Sequence, residues 1–167
     1  MSQPALPIQW DASGPCVVAG SALLALNNAH AVELSWLEPA RFAQLVATAF
    51  LARRVGDADA MIIAFDQSAD YDSPNFTWFR SRFARFVYVD RLVVADHARG
   101  RGLALKLYDE LIAAARAAGH DCIVCEVNSD PPNPASDALH AKLGFEEVGH
   151  ASLYHGDKTV RYLMRRV

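Results

Sequence analysis

One stretch of the chain joins a strand-like and a helix-like hydrophobic pattern through a short polar break. Apolar side chains occupy both faces of a strand at its start: Phe86, Tyr88, Leu92 and Val94 on one, and Val87, Val89, Val93 and Ala95 on the other. Such a strand is typical of the centre of a sheet covered on both sides. After Arg99–Gly102, leucine and alanine recur at helical spacing up to Gly119. The stretch therefore predicts a central strand, a glycine turn and an amphipathic helix.

The same patterns predict the elements on either side. Further strands are expected over Leu6–Asp11, Ala60–Phe65, Asp121–Asn128, Phe145–Tyr154 and Thr159–Arg166, the last two forming a hairpin. Prolines mark three helix starts, at Pro15, Pro39 and Pro134. The fold class is α/β, a mixed sheet with helices on both faces.

Two helix ends follow from capping residues. The helix from Pro39 is expected to finish in Arg53-Arg54, with Gly56 just beyond, because cations and glycine favour helix C-termini. Asn133 is expected to cap the helix that begins at Pro134 and stops at Gly144.

Composition narrows the class of protein. With 167 residues, 52% of them hydrophobic, residues 1–167 are expected to form a single domain with one buried core. With a net charge of −3, the chain lacks the excess of basic residues that is typical of a nucleic-acid-binding protein. No apolar run is long enough to span a membrane. Three cysteines are typical of a reducing compartment, so we expect a cytoplasmic protein.

A metal site is not expected. Cys122 and Cys125 have the spacing of a metal knuckle, but strand positions three apart face opposite sides, which favours buried packing. The six histidines include no pair at helical i, i+4 spacing.

The glycine turn indicates a phosphate ligand. A helix N-terminus offers unpaired N–H groups and partial positive charge, and glycines allow close approach of an anion. The pattern Arg99-x-x-Gly102-x-Ala104 resembles the pyrophosphate loop of the GCN5-related N-acetyltransferases (GNAT), whose loop amides bind acetyl-CoA. The segment Asn133–Phe145 is similar to a second block of that family, at the expected distance after a strand. The resemblance implies a six- to seven-stranded GNAT-like sheet and acetyl-CoA as the cofactor.

The resemblance also implies cofactor contacts, residue by residue. The thioester is expected near Leu92 and the pantetheine arm along Val94. The full set expected to bind the cofactor is Leu92, Val93, Val94, Arg99, Gly100, Arg101, Gly102, Leu103, Ala104, Asn128, Asn133 and Ser136. For Asn133, helix capping alone is a sufficient explanation.

Three side chains are candidates for proton transfer. His140 stands where the family usually has a tyrosine acid; it could protonate the CoA thiolate, or merely pack on its helix. Asp90, inside an apolar strand, could be a general base or the partner of a buried arginine, although Arg91 should point to the opposite face. Glu126 is a rival base for which a structural use is favoured.

The acceptor is expected to be an amine. The stretch Gln67–Arg82 is rich in aromatic residues and has no clean period, so it either covers hydrophobic surface as a lid or shapes an acceptor pocket. The candidate pocket residues are Tyr71, Asn75, Trp78 and Phe79. We therefore expect an N-acetyltransferase, with a small amine favoured over a peptide and a homodimer compatible with the resemblance. The alternative is a non-catalytic acyl-CoA-binding module of the same fold.

Overall fold

The described part of the chain contains seven strands and six α-helices. The computed structural model describes residues 3–8 and 18–167. The strands are β1 Ala5–Pro7, β2 Leu51–Val55, β3 Ala60–Asp66, β4 Phe86–Val94, β5 Cys122–Asp130, β6 Glu146–Leu153 and β7 Lys158–Arg166. The helices are α1 Val18–Ala29, α2 Ala31–Leu34, α3 Pro39–Thr48, α4 Pro74–Arg80, α5 Leu103–Ala117 and α6 Pro134–Lys142, with short 3-10 helices at Asp96–Ala98 and Tyr154–Gly156. No helix in the described part of the chain is long and apolar enough to cross a membrane.

The strands form one mixed sheet in the order β1-β2-β3-β4-β5-β7-β6. β4 pairs in parallel with β5 through Phe86–Tyr88 and Cys122–Val124. The pairs β1–β2, β2–β3, β5–β7 and β6–β7 are antiparallel. This architecture confirms the α/β class and the predicted mixed sheet.

The chain divides into two compact units. One consists of residues up to Phe65 together with Val89–Leu111, and the other of Asp66–Tyr88 with Ile112–Val167. The buried core of the first unit includes Leu23, Phe42, Leu45, Met61 and Ile62. The buried core of the second unit includes Phe76, Phe79, Phe86 and Tyr162. The single domain expected from chain length stays a prediction.

The helix that begins at Pro39 is shorter than predicted. It ends at Thr48, where Ala49 takes up extended backbone angles (φ −66°, ψ 141°). Arg53 and Arg54 lie in β2, not in a last helical turn, and Gly56 (φ +59°) follows β2 in the turn before β3. The prediction was wrong because β2 hydrogen-bonds to a strand on each side, and this pairing outweighs the local helical pattern.

Other boundaries agree closely with the prediction. Asn133 caps α6 by accepting from the Ser136 N–H at 3.2 Å, and Gly119 (φ +74°) follows α5 as expected. The β6–β7 hairpin and the buried β3 are present. The first strand is shorter than predicted, at Ala5–Pro7; its expected end at Asp11 and the helix start at Pro15 lie outside the described residues.

The aromatic stretch contains an unpredicted helix. α4 begins after Ser73, whose hydroxyl oxygen accepts from the Phe76 N–H at 3.5 Å, and Pro74 occupies the first turn. The Ser-Pro pair is a helix-start signal. The sequence does not predict this helix, because turn-forming residues and aromatic side chains obscure the helical period of the stretch.

Candidate functional site

The turn between β4 and α5 has the geometry of an anion-binding loop. Gly100 and Gly102 both adopt left-handed backbone angles, with φ of +74° and +72°. A Cβ atom added at either glycine would meet nothing within 4 Å, so the space above the loop is open. The Lys106 N–H donates to the Gly102 carbonyl at 3.1 Å, which marks the start of α5. The N–H groups of that first turn have no acceptor within the helix and can bind an anion.

The arginines of this loop are paired with carboxylates. Arg99 lies 2.9 Å from Asp96, with both side chains largely exposed. The Arg101 guanidinium lies 3.3 Å from Asp59 and 3.2 Å from the Gln3 side-chain oxygen. Both guanidinium groups are thus engaged by carboxylates, which leaves the backbone N–H groups as the candidate anion donors of the loop.

One face of β4 is only half covered near this loop. Leu92 and Val94 are half-buried, whereas Val93 and Ala95 on the opposite face are each 6% exposed. The expectation that β4 is covered on both faces therefore holds for Phe86–Val89 and fails towards the loop. An open strand face can receive an extended ligand arm, which is what the resemblance requires at Leu92 and Val94.

Asp90 forms an ion pair with its neighbour in sequence. Arg91 Nε lies 3.1 Å from Asp90 Oδ2, and the two side chains are 7% and 6% exposed. The expectation that Arg91 points away from Asp90 was wrong, because the arginine side chain is long enough to fold back along the strand. This geometry supports a structural pair, one of the two interpretations that the sequence left open.

The same arginine fastens the segment that follows α1. Its Nη1 donates to the buried Asn27 side-chain oxygen at 2.8 Å, to the Ser35 carbonyl at 3.2 Å and to the Leu34 carbonyl. Asn27 in turn donates to the Ser35 carbonyl at 3.0 Å. A buried guanidinium with several oxygen acceptors is a strong organising element, so Arg91 fixes the backbone around Leu34 and Ser35.

His140 is 5% exposed and is held by its own helix. Nδ1 lies 2.7 Å from the Ser136 carbonyl oxygen, which can only accept, and 3.2 Å from the Ser136 hydroxyl. Burial lowers the pKa of His140, and the Ser136 hydrogen bond and the Asp137 charge oppose that shift without cancelling it. The ring is therefore neutral near pH 7, with its proton on Nδ1.

A second carboxylate pairs with tyrosine. The Tyr88 hydroxyl donates to Glu126 at 3.0 Å, and the Tyr162 hydroxyl donates to Asn75 at 2.9 Å. Burial first, and then the Glu126 charge, raise the pKa of Tyr162 to about 12. Glu126 and these two hydroxyls thus form a polar group among aromatic rings.

The predicted pocket residues differ in their accessibility. Phe79 is fully buried and Asn75 is 8% exposed, so both are part of the packed interior. Trp78 is half-buried; its ring stacks on Tyr162 at 4.2 Å, and the guanidinium of Arg82 lies 4.0 Å from its centroid. Tyr71 is half-buried, 5.7 Å from the Phe76 ring. Tyr71 and Trp78 are the members of this set that a ligand could contact.

The remaining expected cofactor residues are ordered parts of the second unit. Asn128 is 8% exposed and lies opposite Val160 in the β5–β7 pair. Asn133 and Ser136 are half-buried, and their mutual hydrogen bond caps α6. Cys122 and Cys125 are free and buried, and burial raises the pKa of Cys122 to about 11. No cluster of three or more metal-binding side chains occurs within residues 3–8 and 18–167.

The loop and the capped helix lie in one segment with a recognisable family pattern. Residues 71–145 match the family model described as Acetyltransferase (GNAT) family. The matched residues make up somewhat less than half of the chain. The match includes both Arg99–Ala104 and Asn133–Phe145, so the resemblance seen in the sequence is confirmed.

Solved structures agree on the GNAT fold. A chain of the NatC complex bound to Gag peptide and CoA is 15% identical, with a TM-score of 0.72 over 100% of this chain and 99% of that chain. Arabidopsis thaliana NAA60 in complex with acetyl-CoA is 17% identical, with a TM-score of 0.66 over 88% of this chain and 94% of that chain. At these identities the similarity establishes the fold alone.

A curated relative shares more sequence over part of the chain. L-methionine sulfoximine/L-methionine sulfone acetyltransferase from two Pseudomonas species, P. paraeruginosa and P. aeruginosa, is 36% identical over 93 residues. The alignment spans 56% of this chain and 49% of the relative, so this chain matches about half the length of those enzymes.

Two features of the GNAT segment's surroundings were not predicted. No sequence pattern links Asp59 to the glycine loop, since Gly56-Asp57-Ala58-Asp59 is typical of an ordinary turn. The contacts of Arg91 with Asn27 and Ser35 join positions far apart in sequence. Asp90 was the sequence signal that could have pointed to a buried role for Arg91, because a carboxylate in an apolar strand requires a partner.

Proposed function

We propose that this protein transfers acetyl from acetyl-CoA to the primary amine of a small molecule, by direct attack in a ternary complex. The observation that carries the proposal is the β4–α5 loop: two left-handed glycines with open space above them, at a helix N-terminus, in a segment that matches the GNAT family model. The loop N–H groups bind the pyrophosphate, and the half-buried strand at Leu92–Val94 binds the pantetheine arm and polarises the thioester carbonyl.

The acceptor class rests on the curated relative. An enzyme named for L-methionine sulfoximine and L-methionine sulfone is 36% identical over 93 residues. Both compounds carry a free α-amino group, so an amino-acid-like amine is the acceptor to test first. Tyr71 and Trp78, the partly accessible pocket candidates, are proposed to contact it.

The general base is proposed from two carboxylates. Asp90, retained from the sequence prediction, is engaged in an ion pair with Arg91 at 3.1 Å. Glu126 is half-buried and accepts a hydrogen bond from Tyr88. We expect the Glu126→Gln variant to lose turnover and the Asp90→Asn variant to keep it, which would assign the base to Glu126. The opposite pair of results would assign it to Asp90.

One observation favours the alternative, a non-catalytic acyl-CoA-binding module. The sequence prediction was that His140 protonates the CoA thiolate. The neutral ring keeps its proton on Nδ1, where the Ser136 carbonyl accepts it, so that proton is not readily given up. His140→Ala should lower turnover much more than CoA affinity if His140 is the acid. An unchanged pH–rate profile in that variant would contradict this role.

Calorimetric titration with acetyl-CoA tests the loop. We expect micromolar binding, about −8 kcal/mol. Gly102→Ala should weaken it about 5- to 30-fold, because a non-glycine residue in left-handed conformation costs about 1–2 kcal/mol. Gly156→Ala is the matched control, since Gly156 also has positive φ (+98°) and open space but lies in the β6–β7 turn. Absence of binding by the wild-type protein would overturn the proposal.

Thiol release separates the enzyme from the binding module. The assay compares L-methionine sulfoximine, L-methionine sulfone and a peptide with a free N-terminus as acceptors. Release that depends on a small amine is expected. Acetyl-CoA binding without release from any acceptor would favour the module, and release with the peptide alone would contradict the acceptor class.

Three broader proposals accompany this function. We propose that residues 1–167 act as a single domain, that the protein is cytoplasmic, and that it forms a homodimer. The free, buried Cys122 and Cys125 support a reducing compartment. Light scattering coupled to gel filtration tests the dimer, for which a monomeric mass at working concentration would be the contrary result.

A further inference from the structure

A single residue from another part of the chain, Asp59, contacts the glycine loop at three places, once through its backbone carbonyl and twice through its carboxylate. Asp59 lies between β2 and β3, where its N–H donates to the Val55 carbonyl at 3.0 Å. Its own carbonyl accepts from the Ala95 N–H at 2.8 Å. Its Oδ1 lies 2.9 Å from His97 Nε2, and its Oδ2 accepts from Arg101 Nη1 at 3.3 Å.

These contacts are spread along the loop. Ala95 is where the chain leaves β4, His97 lies in the short 3-10 helix, and Arg101 stands between the two left-handed glycines. A loop with two glycines has many accessible conformations when nothing holds it, and ordering it on binding costs affinity. Asp59 joins the beginning, middle and end of the loop to one fixed turn, so the loop is ordered before any ligand arrives.

The position of the carboxylate is itself restricted. Asp59's side chain is 19% exposed, and a Cβ atom at Gly56 would come within 2.9 Å of Asp59 Oδ2. The hydrogen bond from His97 is the largest cause that lowers the pKa of Asp59; partial burial opposes it and Arg101 adds to it. Asp59 is therefore ionised at neutral pH and can accept from both partners at once.

A carboxylate beside a phosphate site would repel the ligand if it acted through charge alone. Removing it would then strengthen binding, since Arg101 would be freed to attract the pyrophosphate. Removing it should weaken binding if its contribution is to hold the loop amides in place. The two effects have opposite signs, which makes the role of Asp59 measurable.

We propose that Asp59 is a positioning residue that holds the loop from Ala95 to Arg101 in the conformation that binds the pyrophosphate of the acyl donor. The inference rests on the proposed function and names the residue that sets donor affinity. It acts through the loop and does not touch the reacting atoms.

The test compares Asp59→Ala and Asp59→Asn with Asp57→Asn. Asp57 belongs to the same turn and has the same charge, but its side chain is 91% exposed and forms an ion pair with Arg54, 3.9 Å away. For Asp59→Ala we expect the Kd and KM for acetyl-CoA to rise about tenfold, with kcat at saturating acetyl-CoA unchanged. Asp59→Asn keeps one acceptor oxygen and should give a smaller rise, and Asp57→Asn none.

A second variant covers the case in which Asp59→Ala does not fold. His97→Ala removes one of the three contacts at a side chain that is 70% exposed, and should raise the Kd for acetyl-CoA by a few-fold while leaving the unfolding temperature near that of wild type. If an Asp59 variant binds as tightly as wild type, binds more tightly, or loses kcat at unchanged KM, the inference is overturned. If wild type itself does not bind acetyl-CoA, the proposed function fails first, and the two failures are thus distinguishable.

Discussion

Replacing Arg91 by methionine should destabilise the protein severely. Methionine keeps most of the volume but removes the charge that faces Asp90 at 3.1 Å and the donors to Asn27 at 2.8 Å and Ser35 at 3.2 Å. Asp90 would keep a side chain that is 6% exposed without its cation. Breaking a buried ion pair from one side costs about 3–5 kcal/mol, because a buried charge is left uncompensated.

The companion variants separate charge from packing. Asp90→Asn leaves the guanidinium with its other oxygen acceptors, so we expect a loss of about 1–3 kcal/mol. The double variant has no uncompensated charge at this position. Its loss should therefore be smaller than the sum of the two single losses by about 1–3 kcal/mol.

Urea unfolding at pH 7, followed by circular dichroism, gives the free energy of unfolding for wild type, Arg91→Met, Asp90→Asn and the double variant. Arg53→Met is a suitable control, because Arg53 pairs with Glu110 at 3.5 Å where the side chains are 31% and 40% exposed. An exposed pair of this kind contributes at most about 1 kcal/mol. A loss below about 1 kcal/mol for Arg91→Met, or strict additivity in the double variant, would refute the reasoning.

Three further predictions concern the second unit. Burial lowers the folded-state pKa of His140, so its contribution to stability is present above pH about 6.5 and is lost as the pH falls towards the folded-state value. His140→Gln should therefore flatten the dependence of the free energy of unfolding on pH below pH about 6.5. Parallel curves for the variant and wild type would contradict this. Cys122, with a pKa raised to about 11, should react slowly with iodoacetamide at pH 8 in the native protein and rapidly in urea, as site-resolved mass spectrometry would report. A Cβ at Gly149 would lie 2.5 Å from the Trp78 ring, so Gly149→Ala should cost about 1–3 kcal/mol in urea unfolding, and adding Trp78→Phe should recover part of it; no recovery would mean that the cost arises elsewhere.

Local chemistry made several elements predictable. Asn133 before Pro134 supplies both a cap acceptor and a preset backbone angle, and α6 begins there. Gly119 stands where α5 ends, because a left-handed residue terminates the helix at little cost for glycine. The glycine turn between β4 and α5 was likewise predictable, since its strand, its glycines and its helix are consecutive in the chain.

Errors arose where contacts outside the local hydrophobic pattern decide the structure. Leu51–Val55 is a strand because it pairs with β1 on one side and β3 on the other, and its own residues do not carry that information. Arg91 was assigned to the face opposite Asp90 because alternation describes where Cβ atoms point, whereas a long side chain can return to its neighbour. The helix in the aromatic stretch was missed because its ring packing, not its periodicity, holds it in place.

The sequence by itself determined the GNAT resemblance and the glycine turn between β4 and α5, because both depend on short segments with their own capping and turn chemistry. Only the tertiary structure brought Asp59 to the loop and joined Arg91 to the segment after α1. These contacts join residues far apart in the chain, and their geometry follows from how the strands and helices pack, a property that no single segment of the chain contains.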